Sequence, residues 1–397
     1  MSKKRSHGDG GIDPRGPDVW RLRYRINRQR FSTTFHGTLA AARKELRRLL
    51  KSGDDGTHVD PTKLTLAAWV EQWIAAGAPG RRQRKVGRRT LKRYEELLRC
   101  HIVPVLGARP LQQLRAVEVD AAYRQIESKV APRTALHTHI VFGAALQTAV
   151  RKGLLSANPL DRVERVPSPG EADHGMVLDQ DQLRALVDGF RNSVLYPIVA
   201  LACFTGARRG EILALRWSDL DVEAKTLRIE RAVEQIGTIL TLKGPKTERG
   251  KRTIAIDDDL VALLLAERQK HLRIAAGVPD GVAVDLSLVK LPDGALMFPR
   301  SPALGEGFSF TALRNADSLT KVFAKTVCKL GFPDLRFHDL RGSHETLLLD
   351  AGVGVHVVAA RCGHDPAVLL RSYAKRTRKA DTSAAAVIGA MSRGILG

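Results

Sequence analysis

The sequence predicts a mainly α-helical protein with small antiparallel β-sheets, an α+β chain in three parts. Apolar residues recur at helical spacing over most of its length. An alternating apolar and basic run opens the chain, and three short β-rich runs interrupt the helices of its second half.

The opening run sets Trp20, Leu22, Tyr24 and Ile26 in alternation with Arg21, Arg23 and Arg25. A period of two describes a strand with one apolar face and one arginine face. A second strand, Arg30 to Phe35, follows the polar turn Asn27-Arg-Gln. Thr38 then caps a helix running through Leu50 and ended by Ser52-Gly53. Residues 1–62 form this first domain. From Thr65 the spacing becomes helical: Thr65 caps Leu66 to Ala76, whose Leu66, Val70, Trp73 and Ile74 make one stripe. Pro132 opens a helix reaching about Leu155, which Asn158-Pro159 ends. Residues 63–165 thus read as a domain of four or five helices. The stretch Val166-Pro-Ser-Pro-Gly170 marks a linker over 166–175. Beyond it, residues 176–397 are mainly helical, with strands at Thr226–Glu230, Thr238–Leu242 and Arg252–Ile256.

Charge narrows the function. Of 397 residues, 64 are lysine or arginine and 42 aspartate or glutamate, a formal net charge of +22. Residues 1–51 hold 14 basic and 4 acidic residues, and residues 80–100 hold 9 and 2. Such clustering exceeds what solubility requires and points to a polyanion, nucleic acid first. The strand arginines Arg21, Arg23 and Arg25, and the loop and helix residues Arg81, Arg82, Arg84, Lys85, Arg88 and Arg89, are the expected DNA contacts; solvated basic faces are the plainer alternative. An anionic membrane is disfavoured, because the longest apolar run, Leu260 to Ala266, falls far short of the ~18 residues that span a bilayer. Met1-Ser-Lys-Lys-Arg-Ser has no apolar segment behind it, so the expected location is the cytoplasm.

Metal and disulfide chemistry find little support. Cys100, Cys203, Cys328 and Cys362 are scattered, without a C-x-x-C pair, and read as small buried hydrophobes. Asp257-Asp-Asp259 stands where a helix begins, where carboxylates are ordinary caps, and His137-Thr-His139 has no further ligands in view. No metal and no cofactor are expected.

Four local patterns carry candidate chemistry. In Thr205-Gly-Ala-Arg-Arg-Gly-Glu211, Arg208 and Glu211 are three apart, on one helix face if helical. Alone, they read as a surface ion pair of small worth. Lys246 lies between two predicted strands, at a β-hairpin tip where a lysine is usually just solvated. Phe337-His-Asp-Leu-Arg-Gly-Ser-His344 places His338 and Arg341 on one face, with Leu340 as an opposite anchor. Cys362-Gly-His-Asp-Pro carries His364, nine residues before Tyr373. Each histidine alone is more often structural than catalytic.

Taken in order, the set Arg208, Lys246, His338-x-x-Arg341, His364 and Tyr373 resembles the tyrosine recombinase family of phage integrases. The resemblance covers about 176–391 and extends more weakly upstream, where 65–160 looks like a helical core-binding (SAM-like) domain and 10–51 like a small arm-binding sheet domain. It implies that Tyr373 is the nucleophile, that Arg208 and Arg341 clamp the phosphate, and that Glu211 supports Arg208. His338 would take the tyrosine proton, His364 would hydrogen-bond to the phosphate, and Lys246 would protonate the leaving oxygen. It also implies double-stranded DNA at core and arm sites as substrate, a homotetramer on two duplexes, and an accessory DNA-bending or directionality protein. Three departures stand out: Cys362 replaces the common leucine, Gly342-Ser343 replaces the usual His-Thr, and Tyr373-Ala-Lys375 lacks a histidine.

The chemistry supports that reading independently. A tyrosine hydroxyl titrates near ~10 and is a poor nucleophile at neutral pH. Two guanidinium forks can neutralise both non-bridging oxygens of a phosphodiester without a metal. The resemblance, with its arm-like N-terminal domain, implies site-specific recombination that integrates a phage or mobile element through a 3′-phosphotyrosine. The rivals are type IB topoisomerase-like relaxation, and a DNA-binding regulator derived from an integrase.

Overall fold

The computed structural model describes residues 10–26, 29–54, 59, 62–80, 85–170, 175–244 and 250–373. The chain divides into two compact units, Met1–Ala172 and Asp173–Gly397.

The first unit contains two separate cores. Strands β1 (Gly11–Gly16), β2 (Val19–Ile26) and β3 (Gln29–His36) form an antiparallel sheet in that order. Its register pairs Leu22 with Thr33 and Tyr24 with Phe31 on the inner face, and Arg21 with Thr34 and Arg23 with Ser32 on the outer. Leu22, Tyr24 and Ile26 are buried with Ala42 and Leu46 of helix α1 (Leu39–Asp54). The period-two pattern thus becomes a sheet that buries one face under a helix. Thr38 caps that helix, its Oγ1 accepting from Ala41 N–H at 3.3 Å. The helix does not end at Ser52-Gly53 but continues to Asp54. Gly53 belongs to its last turn, because a Cβ there would lie 2.7 Å from Ile26 Cγ1.

The second core is wholly helical. It gathers α2 (Leu66–Ala75), α3 (Arg88–Leu97), α4 (Val103–Leu106), α5 (Ala116–Glu127) and α6 (Pro132–Arg151) around buried Trp69, Trp73, Tyr123 and Phe142. Thr65 Oγ1 accepts from Ala68 N–H and starts α2 as expected. Trp69 Nε1 donates to Ala145 O at 3.1 Å, so one of the two tryptophans of α2 is satisfied inside the core. Helix α6 stops at Arg151 rather than near Leu155, since Gly153 turns left-handed (φ 69).

The second unit packs α7 (Gln180–Gly189), α8 (Tyr196–Thr205), the short α9 (Arg209–Ile212), α10 (Asp258–Ala276), α11 (Ala316–Lys329), α12 (Asp339–Asp350), α13 (Val355–Cys362) and α14 (Pro366–Tyr373) with two small sheets. Helix α8 is buried almost all round, and Phe190, Phe323 and Phe337 stack beside it in the same core. Asp257 caps α10 by accepting from Leu260 N–H at 2.8 Å. One sheet has the order β4 (Leu220–Asp221), β5 (Thr226–Ile229), β8 (Arg252–Ala255). The other pairs β6 (Ala232–Ile236) with β7 (Ile239–Lys243) around Gly237. Sequence reasoning missed β4 and β6, whose runs are short and mixed in polarity. Strand β7 pairs with β6 and β8 with β5, and the expected hairpin-tip position of Lys246 lies outside the described residues. Among the described residues, no helix is long and apolar enough to cross a membrane.

If Phe142 fills the helical core of the first unit as its full burial indicates, Phe142→Ala should cost about 3–5 kcal/mol. Native-state hydrogen exchange should show that loss across α2 and α6, with protection of α12 unchanged.

Candidate active site

The site is assembled at the C-terminal ends of α8 and α13 and the start of α12. Helix α8 ends at Gly206, whose φ of +63 is a left-handed turn. A Cβ there would also come within 2.6 Å of His344 Cδ2 and 3.0 Å of Cys362 Sγ, so two constraints demand glycine. The turn delivers Arg208 to the residue just before α9, where it is the N-cap rather than a member of a helix face. Glu211 Oε2 accepts from the Arg208 backbone N–H at 2.9 Å, and its Oε1 from Arg208 Nη1 at 2.8 Å. Arg208 Nη2 also donates to Gly363 O at 3.1 Å, leaving the side chain 38% exposed.

Glu211 has a second cation that the sequence did not disclose. Buried Arg252, the first residue of β8, donates from Nη2 to Glu211 Oε2 at 2.8 Å and from Nε to Arg361 O at 2.7 Å. Burial alone would raise the Glu211 pKa. The hydrogen bonds and charges of Arg252 and then Arg208 outweigh it and hold the carboxyl below its ordinary value.

Arg341 is nearly inaccessible, its side chain 3% exposed. Nη1 donates to Gly206 O at 2.7 Å and Nη2 to Cys362 O at 2.6 Å, while Nε lies 3.0 Å from Glu345 Oε1. Each Nη keeps one further N–H. Burial, then the repulsion of Arg208, pushes the Arg341 pKa down. Leu340, its neighbour, is fully buried and fixes the helix from the opposite side.

Both His338 and His364 are held below the ordinary histidine pKa. His338, the N-cap of α12, is exposed on one side, yet desolvation on the other and the Arg341 charge lower its pKa. His364 follows the left-handed Gly363 that ends α13. Burial first, then the charges of Arg341 and Arg208, push its pKa down to about 3. His344 is buried behind the pair, with Nδ1 2.9 Å from Cys203 O and Nε2 accepting from Arg361 Nε at 3.3 Å.

The structure therefore brings Arg208, Glu211, His338, Arg341 and His364 together. Tyr373 is the last residue of α14, whose start lies two residues after His364; its side chain and the whole of Lys246 lie outside the described residues. Sequence reasoning missed Arg252 and Glu345. Glu345 was findable, since it stands one turn beyond Arg341, where an opposite charge pairs on a helix. Arg252 had no such spacing to Glu211. Of the expected DNA contacts, Arg21, Arg23 and Arg25 lie on the outer face of the first sheet, with Arg23 tied to Asp13 at 2.7 Å. Lys85, Arg88 and Arg89 are exposed; Arg81, Arg82 and Arg84 lie outside the described residues. Among the described residues, no group of three potential metal ligands occurs.

Because the folded-state pKa of Glu211 is depressed, its stabilisation is complete above the unfolded value and is lost as pH falls through the folded one. The stability gap between the native chain and Glu211→Gln should therefore stay constant near neutrality and shrink below about 4.5. Urea unfolding across that range measures it, and an equal gap at neutral and strongly acidic pH would contradict it.

Similarity to known proteins agrees with this arrangement. A profile of the phage integrase family matches residues 176–379, and one of the phage integrase central domain matches residues 66–166. An integrase of Streptomyces ambofaciens is 27% identical over 99% of each chain. A XerC-like tyrosine recombinase of Caldanaerobacter subterraneus subsp. tengcongensis is 26% identical over 82% of each. In fold, the Tn1549 transposon integrase in complex with a circular intermediate DNA superposes with a TM-score of 0.63 at 18% identity, covering 82% of this chain and 99% of that one. A lambda integrase dimer bound to a COC′ core site gives 0.58 at 16% identity, over 95% and 98%. With more than half of its length matched by the family profile, the chain belongs to the phage integrase family of tyrosine recombinases.

Proposed function

We propose that this chain is a site-specific recombinase that integrates a phage or other mobile element, with Tyr373 as its nucleophile. The observation that supports this most is the pair Arg208 and Arg341, set in one pocket with N–H groups to spare and flanked by two imidazoles of lowered pKa.

The pocket suits a phosphodiester. The two guanidinium groups bind its non-bridging oxygens and stabilise the charge that grows there in the transition state. The tyrosine oxygen bonds to phosphorus as its proton leaves, and the bond from phosphorus to the 5′-oxygen breaks. Lys246 supplies the proton to that oxygen. The 3′-phosphotyrosine conserves the bond energy, so rejoining requires no nucleotide cofactor. His338 and His364 divide the remaining tasks, accepting the hydroxyl proton and hydrogen-bonding to the phosphate.

Other parts of the reading follow from charge and kinship. The arginine face of the first sheet is assigned to arm-type DNA sites, and the basic residues at and before α3 to the core site. Residues 1–62, 63–165 and 176–397 serve as arm-binding, core-binding and catalytic domains, with 166–175 as linker. A lambda integrase tetramer bound to a Holliday junction is a structural neighbour, with a TM-score of 0.54. By analogy, this chain acts as a tetramer on two duplexes, assisted by a DNA-bending or directionality protein, on DNA in the cytoplasm.

Mapping covalent adducts on a genomic library would identify the core duplex. Tyr373→Phe should lose the 3′-linked adduct while still binding that duplex, and the native chain should form it in EDTA. An adduct that persists in Tyr373→Phe, or one that requires added Mg²⁺, would sink the mechanism. Relaxation of a plasmid lacking the core duplex as fast as one carrying it would favour a topoisomerase.

Lys246→Ala should slow cleavage by roughly 10²–10⁴-fold, the usual scale of general acid catalysis. A substrate with sulfur at the bridging 5′ position has a leaving group that needs no proton. It should restore Lys246→Ala towards the native rate and leave Arg208→Ala slow. Rescue of neither variant would make Lys246 a binding residue.

A further inference from the structure

Glu345 lies within the site, and the motif order gives it no part. It sits one turn beyond Arg341 on α12, buried, with Oε1 3.0 Å from Arg341 Nε and 3.1 Å from His364 Nδ1. The Cys362 thiol lies near the same carboxylate, whose charge helps to hold the thiol's pKa up after burial. Arg341 directs Nη1 and Nη2 at backbone carbonyls, while its buried Nε lies at ion-pair distance from Glu345 Oε1, out of line for a hydrogen bond.

His364 is the more telling neighbour. A neutral imidazole carries one N–H, and its position follows from the partner of each nitrogen. Nδ1 is buried 3.1 Å from the carboxylate oxygen, within charge contact but out of line for a hydrogen bond, while the side chain as a whole stays 22% exposed. The accessible part of the ring is therefore the part away from Nδ1. The groups around it are Arg208, Arg252, His338, Arg341 and Glu345, and burial first, then the arginine charges, disfavours protonation of the ring. Buried His344 illustrates the same rule nearby: its Nδ1 lies against a carbonyl oxygen and its Nε2 accepts from Arg361.

We propose that Glu345 is a positioning residue that fixes the plane of Arg341 and holds His364 as the Nδ1–H tautomer, so that Nε2 faces the substrate as a proton acceptor. This rests on the tyrosine reading of the site and refines its division of labour. The Tyr373 hydroxyl proton passes to His364 Nε2, its electron pair forms the bond to phosphorus, and the 5′-oxygen leaves and takes a proton from Lys246. Glu345 stabilises the imidazolium that results. His338 is then the donor to the phosphate, the reverse of the order expected from sequence.

The tautomer can be read without DNA. In protein labelled with nitrogen-15 histidine, the His364 signals are those absent from His364→Gln. Two-bond proton–nitrogen spectra of the native chain should show Nδ1 protonated and Nε2 bare. In Glu345→Gln, whose side chain both donates and accepts, the two tautomers should mix. Attachment to the core duplex should slow by about 10²-fold, with binding little changed. A protonated Nε2 in the native chain would overturn the proposal. So would a His364 tautomer unchanged in both Glu345→Gln and Glu345→Leu, which would leave Glu345 a structural residue only. The absence of any native-chain adduct would instead sink the tyrosine reading and leave the tautomer result standing.

Discussion

Three guanidinium groups, those of Arg208, Arg252 and Arg341, converge on one polar cluster, and their mutual repulsion would loosen it without two buried carboxylates set among them. Like charges ~4 Å apart repel by about 4 kcal/mol at an effective dielectric of ~20, a large share of the stability of an ordinary domain. Glu211 answers Arg208 and Arg252 together, and Glu345 stands against Arg341 and His364. Removing either carboxylate would leave buried cations unpaired, which is costlier than losing a surface bridge. The lowered pKa values of both imidazoles follow from burial first and then from the same crowding of positive charge.

Backbone carbonyls do the remainder. The last carbonyls of a helix lack intrahelical donors, and they gather the negative end of its dipole. Here those ends receive arginines: Gly206 O beyond α8 takes Arg341, and Arg361 O, Cys362 O and Gly363 O at the end of α13 take Arg252, Arg341 and Arg208. Arg361 runs the other way, from α13 to Phe204 O and Ala255 O. Four elements distant in sequence are thereby tied through one polar layer. The left-handed glycines Gly206 and Gly363 turn those carbonyls toward it.

Legibility from sequence followed the range of each interaction. The arginine strand, the Thr38, Thr65 and Asp257 caps and the stripe on α2 were readable because neighbours within a few residues decide them. Arg208, His338, Arg341 and His364 were readable only as an ordered set. Arg208 nevertheless proved to be an N-cap, because the left-handed turn at Gly206 precedes it. Arg252 was opaque: its tie to Glu211 spans 41 residues and depends on how β8 is paired. Strand pairing was opaque in the same way, since β7 and β8, neighbours in sequence, belong to different sheets. Gly53 read as a helix stop because its use is tertiary, a close approach to Ile26.

Two departures from the family pattern, at Ser343 and Cys362, fall behind the reacting groups rather than among them. Ser343, in place of a usual threonine, is fully buried; its Oγ accepts from Leu178 N–H at 2.9 Å and donates to Asp339 O at 3.0 Å. It thereby fastens the entry to α7 onto α12, the helix that carries Arg341. Cys362, in place of leucine, presses its sulfur towards Gly206 in a space already narrowed by His344. A leucine there would add a branched carbon chain where the Cys362 residue has no exposed surface, and overpacking of a filled core typically costs 1–3 kcal/mol. The same small residue leaves its carbonyl in place for Arg341 and its thiol in reach of Glu345. Packing at position 362 and the carboxylate at 345 are therefore coupled through one side chain, so their substitutions should fail to add. A double-mutant cycle of Cys362→Ala with Glu345→Gln on unfolding free energy reads that coupling, and strict additivity would deny it.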